Sequence, residues 1–426
     1  MLLDIQRNSF GYFIHEVNPL NNLVADKTAA DWPASIASVG MALTAYPIGV
    51  ERALMTRDDA VRRTLTTLRF FMASEQGESP TATGHRGFYY HFLDMQTGRR
   101  AWRCELSSID TTLLIAGALT AAEYFDADDA AERELRELAD AMYRRVDWGW
   151  MCNGRPTVCH GWKPEGGFLP WQWHGYDEAM ILYLLGLGSP TYPLPDGAWD
   201  AWLSKCAWQT VEGIAHLHAG PLFIHQMSHL WIDFRGLRDA FMRTHDSDYF
   251  ENSRRAAQVQ QRYALRNPLA LAMYGEFCWG VTASDGPGTT RRGRRVGGRL
   301  YYDYIARGVP GGPDDGTLAP WAVVASLPFA PEIVLPTIEH FRRLRLHVDN
   351  PYGFKASFNP SYPNDRHHPM CGWVSQHHFG INEGPTVVMI ENHLSDLVWR
   401  LMRGCAPLVR GLKRAGFEGG WLTAPG

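Results

Sequence analysis

From end to end this chain alternates stretches that are apolar on every side with stretches that are apolar on one side only. Residues 34–46 are small and apolar up to Pro47, whereas residues 58–74 set Val61, Leu65, Leu68 and Phe71 at helical spacing among charges. The pairing recurs as 108–125 with 130–146, 177–188 with 196–210, 221–234 with 247–267, and 318–327 with 331–344. Residues 386–402 close the series, and residues 2–14 read as a short amphipathic helix with Leu2, Ile5, Phe10 and Phe13 on one side. A helix apolar all round has to be covered, and a striped one shows a face to water. A βαβ or strand-rich chain would instead carry short Val/Ile-rich runs at regular spacing, and few occur here. The alternation therefore predicts an all-α fold, with inner helices wrapped by outer ones in a toroid. Segments 80–104, 148–175, 276–316 and 350–384 are long Gly/Pro/aromatic loops, and loops that long in a compact fold are usually functional. No linker interrupts the pattern, so residues 1–426 are read as one domain.

Net charge separates several function classes. At −4 over 426 residues the chain has no strong attraction for nucleic acid. Its basic run, Arg291-Arg-Gly-Arg-Arg295, lies in a Gly-rich stretch and reads as a solvated loop. The seven cysteines form no C-x-x-C pair, which fits reduced thiols, although Cys152 and Cys159 are near enough in sequence to bridge. The first residues lack the basic start and apolar core of a leader, and no apolar run is long enough for a membrane span. The expectation is a soluble cytoplasmic protein, or a periplasmic one if a leader was trimmed. It would be a monomer or weak homo-oligomer with no cofactor and no metal.

Chemistry concentrates at 171–193. The segment opens Trp-Gln-Trp-His-Gly-Tyr, reaches Asp177 and Glu178, and then turns apolar until Ser189-Pro190. This reads as a buried helix with an acid in its first turn and aromatic residues on the loop before it. Sugar-cleaving sites need a carboxylic acid in a partly dry cleft, a second carboxylate, and flat faces for pyranose rings. Sixteen tryptophans is an unusual number, and some are expected to line a site. Two other inner helices start alike, at Ser107-Ser-Ile-Asp110 and Gly380-Ile-Asn-Glu383. In a toroid their N-termini gather at one rim, where Asp110, Glu178 and Glu383 would meet over one cavity. Helix capping by Asp110 is the competing reading. Burial or a neighbouring carboxylate has to raise the Glu178 pKa against the helix N-terminus if it is to act as an acid.

Other motifs carry less. His225-Gln-Met-Ser-His229 has the i, i+4 spacing of zinc helices, but Gln226 stands where H-E-x-x-H needs glutamate. Hydroxyl binding or a core role is favoured over metal. His367-His368 and His377-His378 flank the last loop and fit subsites or plain surface equally. Asp314-Asp315-Gly-Thr resembles a fragment of an Asp-rich terpene cyclase motif without its further acid.

Several longer stretches resemble the bacterial glycoamylase-like family, which is related to glycoside hydrolase family 144. They are Gly87-Phe-Tyr-Tyr-His-Phe-Leu-Asp-Met, Ser107-Ser-Ile-Asp-Thr-Thr-Leu-Leu-Ile-Ala-Gly, Tyr176-Asp-Glu-Ala-Met-Ile-Leu-Tyr-Leu-Leu and Tyr274-Gly-Glu-Phe-Cys-Trp-Gly-Val-Thr-Ala-Ser-Asp-Gly-Pro. Asp315-Gly-Thr-Leu-Ala-Pro and Gly384-Pro-Thr-Val-Val-Met-Ile-Glu-Asn-His belong with them. The resemblance implies an (α/α)6 barrel and a β-1,2-glucan hydrolase, endo-acting and inverting. It also implies that the family's essential glutamate falls on Glu178 and an earlier acid on Asp110. The family's Gly-Ile-Asp-Gln-Gly-Pro motif is Gly-Ile-Asn-Glu-Gly-Pro here, so Asn382 replaces a candidate base, and Glu383 or Asp110 has to take that role. Trp162, Trp171, Trp173, Tyr176, Trp279 and Trp373 are candidate stacking faces, and His174, His225, Gln226, His229 and Asp285 are candidate hydroxyl binders. The alternatives are a retaining transglycosylase on β-1,2-glucan and a glucan-binding protein that has lost its base.

Overall fold

The computed structural model describes residues 1–363 and 371–423; the His367-His368 pair lies outside the described residues. Helices dominate, with strands of two to four residues confined to the connections. In chain order the helices are α1 (Leu2–His15), α2 (Ile36–Glu51), α3 (Arg57–Ala73), α4 (Ser108–Tyr124), α5 (Ala130–Arg145), α6 (Met180–Gly188) and α7 (Ala198–Leu203). They continue as α8 (Ala240–Thr244), α9 (Tyr249–Arg266), α10 (Pro320–Ala325), α11 (Pro331–Arg343), α12 (Gly380–Ser395), α13 (Leu397–Gly404) and α14 (Ala406–Arg414).

Burial follows the alternation in the sequence. Helices α2, α4, α6, α10 and α12 are buried almost throughout. Helices α3, α5, α9 and α11 bury a single stripe. Thr56, Asp129 and Asp248 cap α3, α5 and α9 with their side chains, accepting the Asp59, Glu132 and Glu251 N–H groups. The inner helices approach closely. A Cβ on Gly40 would run into the Leu113 carbonyl and one on Gly117 into the Gly40 carbonyl, so the α2–α4 contact requires glycine on both sides. The buried apolar side chains form one contiguous core.

Several elements depart from the sequence expectation. Helix α2 runs through Pro47 to Glu51, so packing on every side outweighs the cost of an internal proline, about 3 kcal/mol. The expected helix at 196–210 is the short α7 followed by a hairpin, Trp208–Val211 against Ile214–Leu217. Residues 221–234 form two 3-10 turns, Leu222–His225 and Met227–Leu230, in place of an α-helix. The 386–402 segment starts earlier and breaks at Asp396, whose φ of 57° lies in the left-handed region. The basic run enters a hairpin, Arg294–Val296 with Arg299–Tyr301. Cys152 and Cys159 are both free thiols. No helix among the described residues is long and apolar enough to cross a membrane.

The long loops hydrogen-bond to one another in a collar around the starts of the inner helices. Phe92–Leu93 pairs with Ala34–Ser35 just before α2. His91 N–H donates to the Glu105 carbonyl, and Leu106–Ser107 pairs with Gly161–Trp162 just before α4. Leu222 N–H reaches Val281, Ala319 N–H reaches Gly280, and Leu318 bridges to Phe358. Gly380 N–H donates to the Asp26 carbonyl, which returns the collar to the loop that leads into α2.

Candidate active site

Glu178 stands two residues ahead of α6, on the connection rather than within the helix. Two neighbours set its position. Asp177 turns back to accept the Ala179 N–H at 3.0 Å and the Trp202 indole N–H at 2.9 Å. Ser228, from the second 3-10 turn, accepts the Ile181 N–H at 3.1 Å and donates to the Glu178 carbonyl at 3.2 Å. Asp177 and Ser228 therefore meet the backbone demands of the helix start. The half-buried Glu178 carboxyl makes no hydrogen bond to the described residues. Burial, followed by the charges of Asp110 and Asp177, pushes its pKa up to about 8 against the opposing effect of His91. Burial also pushes Asp177 up to about 7, opposed mainly by the Trp202 hydrogen bond. At neutral pH Glu178 thus holds its proton.

Asp110 is in the first turn of α4, but Ser107 is the cap. The Ser107 hydroxyl accepts the Asp110 N–H at 3.1 Å and donates its own proton to Asp110 Oδ2. This leaves Oδ1 without a hydrogen bond to the described residues. His91 Nε2 lies 3.6 Å from Oδ2, and its Nδ1 donates to Glu105 at 3.0 Å. The ring stacks on Phe92 at 4.0 Å.

Two further groups close the cluster. Asp26 accepts the Trp32 indole N–H at 3.0 Å and lies within the electrostatic reach of His91 and Asp110. Tyr304, half-buried and supplied by the loop 276–316, lies in the combined field of Asp26, Glu178, Asp285 and Asp110, and burial together with those charges holds its phenol proton on. Asp285 accepts the Ser375 hydroxyl at 2.7 Å.

The remaining expected residues divide. Trp171 and His174 are exposed, and Trp162, Trp173, Tyr176 and Trp373 are half-buried. Trp173 stacks on His160 at 3.7 Å and donates to the Ser108 hydroxyl at 2.9 Å, while Trp162 packs beside His85 and Trp150. Trp279 is a correction: it is buried, with its indole N–H on Thr337 at 2.9 Å, and offers no face to a ligand.

His225, Gln226 and His229 are corrections of the same kind, because all three are buried. His225 Nε2 donates to the Ala219 carbonyl and Nδ1 accepts from the Tyr176 hydroxyl, both at 3.1 Å. Gln226 donates to the Ala322 carbonyl and the Ser326 hydroxyl. His229 Nε2 meets the Ser253 hydroxyl at 3.0 Å. Burial keeps both imidazoles neutral, and the 3-10 backbone removes the shared helical face that the spacing had implied. Glu383 is buried, with Oε1 on His378 Nδ1 at 2.8 Å. Asn382 is buried, its Nδ2 without a hydrogen-bond partner among the described residues.

Sequence reasoning missed His91, Asp26, Tyr304 and Trp102. Trp102 is 56 % exposed, at a φ of 53°, and its ring packs against Trp32 at 4.7 Å and Phe92 at 5.1 Å. Its only sequence signal was its place in the long loop 80–104, ahead of the Ser107 motif.

The Glycoamylase family model, described as "Putative glucoamylase", matches residues 170–406. The chain belongs to this glycoamylase family. Among its relatives is an exo β-1,2-glucooligosaccharide sophorohydrolase (non-reducing end) of Parabacteroides distasonis, 26 % identical over 450 residues. The alignment covers 97 % of the glycoamylase-family chain but only 57 % of that curated relative, so the chain spans little more than half of its length. A "putative glucoamylase" from Bacteroides uniformis has TM-score 0.85 at 28 % identity, covering 99 % of this chain and 98 % of that one. The endo-β-1,2-glucanase from Chitinophaga pinensis, solved with sophorotriose and glucose, has TM-score 0.85 at 24 % identity over 99 % and 98 % of the two chains. At that identity the likeness is one of fold.

Proposed function

We propose that this chain is a glycoside hydrolase that cleaves β-1,2-linked glucooligosaccharides, built as a single (α/α)6 domain. The observation that carries the proposal is the state of Glu178. It is a half-buried carboxyl with no hydrogen bond to the described residues and a pKa pushed up to about 8, within the field of a second carboxyl group, Asp110, in the first turn of α4. Two carboxyl groups in unlike settings are what glycoside cleavage needs. The names of the relatives support the linkage.

In the proposed reaction Glu178 gives its proton to the leaving glycosidic oxygen, directly or through a sugar hydroxyl. Asp110 Oδ1 takes a proton from a water molecule, which attacks the anomeric carbon from the opposite face as the C–O bond breaks. The configuration inverts, and both carboxyl groups return to their starting states by exchange with solvent. The field of Asp110 reaches Glu178 without a hydrogen bond between them, which suits a pair separated by water and substrate. Trp102 and Trp171 carry pyranose rings at the opening, and Tyr304 binds a hydroxyl near the reacting bond.

Internal cleavage of the glucan is the preferred mode. Release of disaccharide units from the non-reducing end is the second reading, favoured by the sophorohydrolase relative. Mass spectrometry of products from linear β-1,2-glucan, with β-1,3-, β-1,4- and α-1,4-glucans alongside, tests both. A ladder of short oligosaccharides from the β-1,2 polymer alone supports the first mode, and disaccharide alone supports the second. Products only from another linkage would refute the substrate assignment.

A further inference from the structure

We propose that His91 is a positioning residue of the hydrolytic site: held between Glu105 and Asp110 as an imidazolium, it orients the water-activating carboxylate and sets how firmly Glu178 keeps its proton. The inference rests on the reading of Glu178 and Asp110 given above.

The geometry is that of an imidazole held between two carboxyl groups. Nδ1–H donates to Glu105 Oε1 at 3.0 Å, and Nε2 faces Asp110 Oδ2 at 3.6 Å. The Phe92 ring covers one face of the imidazole at 4.0 Å. The backbone fixes the residue as well, since its N–H donates to Glu105 O at 2.9 Å and its carbonyl accepts from Ile36 N–H at 3.2 Å. The collar strand thereby ties the start of α2 to the start of α4, with His91 at the junction. Asp110 Oδ2 is held by Ser107 and faced by His91, so Oδ1 is the oxygen left for water.

Charged groups face the ring from several elements. The loop before α2 brings Asp26, the approach to α4 brings Glu105, the first turn of α4 brings Asp110, and the approach to α6 brings Glu178. Lys163 acts on Glu105 from the neighbouring strand, and Lys27 acts on Asp26. Burial alone would push the His91 pKa down. The charge of Asp110 and the hydrogen bond and charge of Glu105 reverse this and carry it up to about 9. Burial likewise would raise Glu105, yet His91 holds it at about 2. A cation at His91 lowers Glu178, so without it the acid would bind its proton too firmly to release it efficiently.

Two measurements on the full chain test the proposal. In the first, 15N spectra of histidine-labelled protein, with the His91 signals assigned from their loss in His91→Gln, are followed from pH 6 to 10. Both ring nitrogens should stay protonated through about pH 8 in the wild type, and Glu105→Gln should move the titration to lower pH. A ring that is neutral at pH 7 in the wild type overturns the proposal whatever the activity. In the second, kcat and KM of His91→Gln on β-1,2-glucooligosaccharides are measured across pH. The expected result is a kcat about tenfold or more below wild type, a KM changed less than kcat, and an alkaline limb moved up by about one unit. A loss with no movement of the limb would mark a merely structural residue and overturn the proposal. A charged ring in a protein that cleaves no β-1,2-glucan would refute the underlying reading instead, and with it the role in catalysis.

Discussion

The indole N–H of Trp202 donates to Asp177 Oδ1 at 2.9 Å, and the adjacent Glu178 receives no such bond. Two neighbouring carboxyl groups are thereby given different work. Asp177 is an anchor that turns the chain into α6, and Glu178 is left with its proton and without a partner. The consequences can be measured.

The first concerns stability. An unfolded chain gives up the Glu178 proton near the ordinary 4.5, whereas the folded chain holds it to about 8. Between those values the folded state binds more protons, so this group makes stability fall as pH rises. Glu178→Gln removes the effect. The variant should therefore melt a few degrees above wild type at about pH 8 and match it at about pH 4. Differential scanning calorimetry across that range is the check, and equal melting temperatures at both ends would mean that Glu178 is not held protonated.

The second concerns chain length. Trp102 is exposed yet braced by Trp32 and Phe92, and Phe92 in turn stacks on His91. A platform so placed should matter for long substrates and little for short ones. Trp102→Ala should raise KM up to about tenfold on long β-1,2-glucan, in line with the worth of one aromatic contact, and leave the shortest cleavable oligosaccharide almost unaffected. Steady-state kinetics against oligosaccharides of graded length would show this.

The third separates core from site. Gln226 donates to Ala322 O and Ser326 Oγ inside the protein. Gln226→Ala takes the donor from Ser326 Oγ, leaves the Ala322 carbonyl with only the Ser326 hydroxyl at 3.0 Å, and should cost about 1–3 kcal/mol of stability, with KM unchanged at a temperature where the variant is folded. Urea denaturation together with KM on one substrate decides it; a raised KM at unchanged stability would return Gln226 to the binding surface.

What was legible in the sequence follows from periodicity. An apolar run such as 108–125 can only be a covered helix, and α4 occupies it almost residue for residue. The stripe of Val61, Leu65, Leu68 and Phe71 likewise marked α3. Residues 221–234 failed because composition does not separate an α-helix from successive 3-10 turns, and that error carried His225, Gln226 and His229 to the wrong surface. Trp279 failed for a related reason, since a tryptophan in a loop reads the same whether its indole faces a ligand or Thr337. Asp314 and Asp315, set aside in the sequence, prove to be anchors: Tyr263 and Tyr274 hold the first, and buried Arg307 pairs with the second and fastens the loop that delivers Tyr304. As candidates, Glu178 and Asp110 were legible because each stands at the start of an apolar run. His91 and Asp26 were not, because nothing local in a collar loop announces a long-range partner.

The central claim is that Glu178 supplies the proton. Its most direct test is the turnover of Glu178→Gln against wild type on linear β-1,2-glucan at pH 7, with binding of the same glucan measured by calorimetry. The account predicts a loss of kcat of about 10²–10⁴-fold with affinity nearly unchanged. Turnover within a few-fold of wild type would contradict it.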